Sequence, residues 1–187
     1  MNGKERIKLA MNHKQADRVP LFCQLSLGHY MTHTPFEPYK VWFSPETFGN
    51  SLLMLAERYN FDGILVNLPG RQRDWEEHIV KKEHKGIETT IHWDDGSYSV
   101  CPDNDNVHHF SGKKLPSISE TDPEQIFYIE PHDLTGVNYP YYYGFCGIHG
   151  PHNRNFFPDY ILDTLKYVVK IAGNKYHISS EVFSPFT

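Results

Sequence analysis

His29, Asn67, Arg71 and Glu181 are among the side chains of this sequence whose chemistry could act on a small molecule. His29 stands in a glycine-bearing stretch, "SLGHYMT", where an imidazole could donate to a substrate oxygen or a metal-bound group; a solvated ring is the plain alternative. Asn67 closes the apolar run "DGILVN" and offers donor and acceptor together for orienting a polar ligand, or caps a strand end. Arg71 follows Pro69-Gly70 and could hold an anionic substrate tail, against an ordinary surface ion pair. Glu181 is a carboxylate in a run of buried character, "HISSEVF". There it needs a partner or a raised pKa, unless it faces outward at a strand end.

A second group has metal-ligand character. "CGIHGPH" sets Cys146, His149 and His152 at i, i+3 and i+6, a spacing zinc could use if a fourth ligand such as His132 came near. Against it, a second close-spaced ligand pair is missing, and short runs of this kind arise by chance in a chain with 12 histidines. His108-His109 falls in an expected surface loop and receives no role. "YPYYYGF" could stack on a flat ring system such as a corrinoid, or form satellite core beneath a long loop.

Composition narrows the partners. The chain has 187 residues, 39% hydrophobic, enough for one domain with a real core. A formal charge of −5 argues against nucleic acid, which asks for a clustered basic face, and favours small molecules. No apolar run approaches a membrane span, and "MNGKERIKLAMNHK" is too charged for a signal peptide, so a cytoplasmic location is expected, with no membrane partner. Cys23, Cys101 and Cys146 are odd in number and far apart, which fits a reducing compartment.

The elements that must position these groups read as α/β. Asn2 with Glu5 signals a first helix carrying Ile7, Ala10 and Met11 on one face. "VPLFCQL" reads as a buried parallel-type strand. "FSPETF" opens a second helix, with Ser44 as cap, Pro45 at the first position and an apolar stripe of Phe48, Leu52, Leu55, Ala56 and Tyr59. "FDGILVNLPGR" is a second strand, and the order predicts a βαβ crossover. The rhythm then breaks over an excursion at about 71–157. It contains a hairpin around Asp95-Gly96 in "IETTIHWDDGSYSVCP", an exposed loop from Pro102 to Pro116, a short helix in "TDPEQIFYI", and an aperiodic stretch. A helix returns in "PDYILDTLKYVVKIAGN", with Ile161, Leu165, Val168, Val169 and Ala172 on one face and a left-handed stop at Gly173-Asn174. A terminal strand follows. Three buried strands cannot close a barrel, so the chain is expected to be one partial domain, 1–187, of a larger fold.

"KERIKLAMNHKQADRVPLF" resembles the opening of the uroporphyrinogen decarboxylase superfamily, in which an arginine-bearing helix leads through a "DR-P" turn, here Asp17-Arg18-Val19-Pro20, into the first barrel strand. "ISSEVFSPFT" resembles that family's later strand and turn. The resemblance implies the N-terminal portion of a (β/α)8 TIM barrel with an inserted β-hairpin, truncated at this length. Its barrel geometry, with reacting groups at the C-terminal strand tips, singles out His29, Asn67, Arg71 and Glu181. Two departures separate the chain from the decarboxylases. The arginine-bearing "MRQAGR" segment is replaced by "QLSLGHYMTH", and the aspartate after the second strand by "VNLPGR". The chain therefore resembles the cobamide-dependent methyltransferase branch more closely.

That resemblance implies methyl transfer between a cobamide carrier and a thiol or other small acceptor, with a corrinoid carrier protein as partner. Zinc would be held by a His-x-Cys pair and a later Cys beyond Thr187. None of the cofactors is fixed by the residues present. Decarboxylation of a porphyrinogen is the alternative within the same fold, and a non-catalytic interaction module paired with its own copy is the alternative outside it.

Overall fold

The computed structural model describes residues 1–110, Ser119 and 159–180, together with two short strands, Ile126–Tyr128 and Tyr143–Phe145. The first helix, α1 (Gly3–Met11), is set by a reciprocal cap: the Glu5 amide donates to Asn2 Oδ1 at 2.9 Å and the Asn2 amide donates to Glu5 Oε2 at 3.0 Å. Its buried face is Gly3, Arg6 and Ile7 rather than the expected Ile7, Ala10 and Met11, and Met11 is 68% exposed. Arg6 turns the helix because its guanidinium is drawn to a buried carboxylate, Asp62.

The strand expected over "VPLFCQL" does not form. The Asp62 amide donates to the Leu21 carbonyl, and the Leu21 amide donates to Asp62 Oδ2, each at 2.7 Å, so a side chain occupies the position a ladder carbonyl would fill. Val19 is 86% exposed, and little burial rewards pairing there. Two short helices follow that periodicity does not reveal: α2 (Leu27–His33) and α3 (Pro38–Phe43). Ser44 ends α3 and caps α4 (Pro45–Arg58), accepting from the Thr47 amide at 3.2 Å, with Phe48, Leu52, Leu55 and Ala56 buried as the stripe predicts.

Strand β1 (Gly63–Val66) pairs in parallel with the last strand among the described residues, His177–Ser180, in register from Gly63↔His177 to Val66↔Ser180. Between them in sequence lies a four-stranded antiparallel meander of β2 (Ile79–Lys85), β3 (Glu88–Trp93), β4 (Tyr98–Pro102) and β5 (His108–Phe110). The Asp95-Gly96 hairpin forms with Gly96 at φ +84°, and Gly86 at φ +67° makes a second, unanticipated turn between β2 and β3. β5 lies inside the stretch expected to be loop. Ile126–Tyr128 is β6, paired antiparallel with Tyr143–Phe145, β7, so over these three residues of "TDPEQIFYI" a strand stands where a helix was expected. A cross-strand partner here outweighs local propensity.

A 3-10 turn, Asp159–Leu162, leads into α5 (Asp163–Ala172), and His177–Ser180 becomes β8. Val168 and Ala172 are buried, but Val169, expected on the same face, is 50% exposed. Gly173 sits at φ −65°, ψ −12°, so the expected left-handed stop is absent; the chain instead tightens, with the Lys175 and Tyr176 amides both donating to the Ala172 carbonyl at 3.0 Å.

One core joins α2, α3, α4 and α5 to the β1–β8 pair and the meander, and aromatic rings form its seam: Phe43 stacks on Trp75 at 5.4 Å and meets Trp93 edge-on at 5.3 Å. The described residues are mixed α/β, with parallel and antiparallel sheets and no closed barrel. No helix among them is long and apolar enough to cross a membrane.

Candidate functional site

The parallel pair has two ends, and charged groups collect at both. At the N-terminal end of β1, Asp62 is 1% exposed and accepts from Arg6 Nη1, from Arg18 Nη2 at 2.9 Å and from the Leu21 amide. Arg6 also grips Asp17 in bidentate fashion, at 2.5 and 2.8 Å. The bond to Asp17 is the main reason the Arg6 guanidinium is held even more firmly in its charged form, and Arg6 in turn keeps the Asp17 carboxyl well below the usual carboxylate range. The "DR-P" residues therefore act as a clamp between α1 and β1. A recess of about 400 Å³ opens beside them, but its charges pair with one another, Lys175 with Glu57 included at 3.2 Å.

The C-terminal end is built differently. Asn67 follows Val66, and its Oδ1 is buried with no hydrogen-bond partner among the described residues. The loop beyond it is fastened to the start of α5: the Gly70 amide donates to the Ile161 carbonyl at 2.8 Å, and Thr164 Oγ1 donates to the Pro69 carbonyl at 3.0 Å. A Cβ on residue 70 would come within 1.8 Å of the Tyr160 carbonyl oxygen, so only glycine fits. This fastening buries Arg71 to 1% exposure, its guanidinium carbon 5.8 Å from the Trp42 ring centroid.

Above Arg71 lies a cleft of about 320 Å³ between the first turn of α4, the loop and the outer face of α5. Arg71, Arg73, Lys166 and Lys170 line it against two carboxylates, Glu46 and Asp163. Asp163 already serves Arg73 Nε at 2.8 Å and Lys166 Nζ at 3.6 Å. His78 ties the same loop to the hairpin turn, with Nδ1 2.7 Å from Asp94 Oδ2 and Nε2 3.1 Å from Gln72 Nε2. The Asp94 bond pushes the His78 pKa above the ordinary imidazole value.

Of the residues singled out by sequence, Asn67 and Arg71 come together and His29 does not join them. His29 lies on α2 with Nε2 2.8 Å from the Tyr59 hydroxyl and its ring stacked on His33 at 3.9 Å. Tyr59 follows the last turn of α4, and α4 runs back toward the start of β1, so His29 sits at the wrong end of the parallel pair for a shared site. Burial, and then the nearby His33 and Arg58, hold its pKa down. Glu181, His132, Cys146, His149 and His152 lie outside the described residues, among which no cluster of three ligand side chains is placed to hold a metal ion.

Arg73, Lys166 and Lys170 escaped the sequence reading. The i, i+4 spacing of the two lysines is visible in "DTLKYVVK", but it reads as an ordinary solvated face until the glycine contact brings the loop alongside. No family model, no curated protein and no solved structure matches this chain.

Proposed function

We propose that the chain supplies the opening units of a uroporphyrinogen-decarboxylase-type barrel, in an enzyme of the methyl-transferring branch, and that its own residues bind and orient a small acceptor at the C-terminal end of β1. The observation that carries the reading is Asn67: a buried acceptor oxygen, unpartnered among the described residues, at a parallel strand tip, where α/β folds place their ligands. Two further features support it. Leu21, in the segment expected to be the first strand, exchanges two hydrogen bonds with Asp62 at the start of β1, and the "DR-P" clamp lies at that end, opposite Asn67. Activation of an acceptor thiol by zinc, which the resemblance implies, needs ligands other than the described residues.

The test is demethylation of methylcobalamin by the complete protein with a panel of thiols, followed by loss of the cobalt–methyl absorbance. Wild type is expected to turn over, and Asn67→Ala to lower kcat/KM by roughly tenfold, the worth of one lost orienting hydrogen bond. No demethylation with any thiol would defeat the proposal. Arg71 and Arg73 favour a second reading, because they restore cationic donors that "QLSLGHYMTH" lacks. Turnover of uroporphyrinogen without methyl transfer would establish decarboxylation in its place.

A further inference from the structure

We infer that the cleft between α4 and α5 is a separate binding site for a small organic anion, one with a phosphate or carboxylate head and an apolar body. Its place sets it apart from the strand-tip site: α4 and α5 pack together over the β1–β8 pair, and the cleft opens on that helical side, sharing only the loop at Arg71–Arg73. Its charge runs against the molecule. Although the chain carries a formal charge of −5, Arg73, Lys166 and Lys170 come together at this cleft among the described residues.

Asp163 is shared by Arg73 and Lys166, and Lys170 makes no ion pair among the described residues, so the Lys170 ammonium stands open at the rim. The positive end of the 14-residue α4 adds to it. Trp75, Pro45 and the ring of Tyr167 supply apolar wall, and a volume of about 320 Å³ suits a small ligand. The walls are fixed before anything binds: Tyr167 donates to Asn50 Oδ1 at 3.2 Å, and the loop is held by Gly70 and Thr164. Preorganisation of this kind lowers the cost of ordering on binding. The head group meets Lys166, Lys170 and Arg73, while the body lies along Trp75 and Tyr167.

Phenyl phosphate and benzoate, titrated into the 187-residue chain at low salt and followed by calorimetry and tryptophan fluorescence, test the site without reference to any reaction. At least one is expected to saturate and to weaken as salt rises, and the tighter of the two identifies the head group. Lys170→Ala and Lys166→Ala, both at exposed positions, are each expected to weaken binding about three- to tenfold, and Lys8→Ala on α1 to leave it unchanged. Failure of both probes to saturate, or saturation indifferent to the two lysine variants, overturns the inference. Methyl transfer can fail in the assay above while this site binds, and the reverse, so the two proposals stand or fall apart.

Discussion

Asp62 shows how much one buried carboxylate organises. It receives two arginines and an amide, and it draws α1 onto β1 through Arg6. Asp62→Ala leaves Arg6 to Asp17 alone and takes the acceptor from Arg18 and the Leu21 amide, and is expected to lower stability by about 3 kcal/mol in urea unfolding, more than Asp17→Asn at the exposed end of the network. The two histidines pull stability in opposite directions with pH. His29 has a folded pKa below its unfolded value of 6.5, so the unfolded chain binds the extra proton and stability falls as pH drops through that region. His78 has a raised folded pKa, so its contribution is complete below 6.5 and is lost as pH climbs through the higher folded value. Thermal melts across roughly pH 5 to 9 are expected to flatten on the acid side in His29→Gln and on the basic side in Asp94→Asn. At this scale Asn67 and Arg71 were legible because they follow a readable strand. His29 was not, because the segment before it never became a strand whose tip it could mark.

Among the elements, the loop at 67–73 depends on one missing methyl. Gly70→Ala would drive a Cβ into the Tyr160 carbonyl, and a loss of about 2 kcal/mol is expected, with faster proteolysis of the loop and α5. Hydrogen exchange separates true strand from stretched chain at the other side of β1. The Leu21 amide is expected to be protected by Asp62, while the amides of Phe22 and Cys23 exchange quickly; equal protection across Leu21, Phe22 and Cys23 would contradict the geometry described. Helices α1 and α4 were readable from their caps, since capping is local chemistry written within four residues. α3 has the same kind of start, Pro38 at its first turn, but at six residues it is too short to show a period. β2 was missed for a different reason: with Lys81, Lys82, Glu83, His84 and Lys85 all exposed, it carries no apolar alternation at all.

For the molecule as a whole, the α/β class was legible because β1, α4 and α5 announce themselves in sequence. The way the meander docks was not, since it depends on rings far apart in the chain. Phe43 from α3, Trp75 from a second 3-10 turn, Trp75–His78, and Trp93 from β3 meet only once the fold is formed. All three tryptophans of the chain, Trp42, Trp75 and Trp93, lie buried at or next to this seam. Indole emission is thereby a built-in optical gauge of one event. Prising the meander from the helices would shift the spectrum to the red before the circular dichroism of α1, α4 and α5 had changed, so a two-colour denaturation curve reads out whether the molecule comes apart in one step or two.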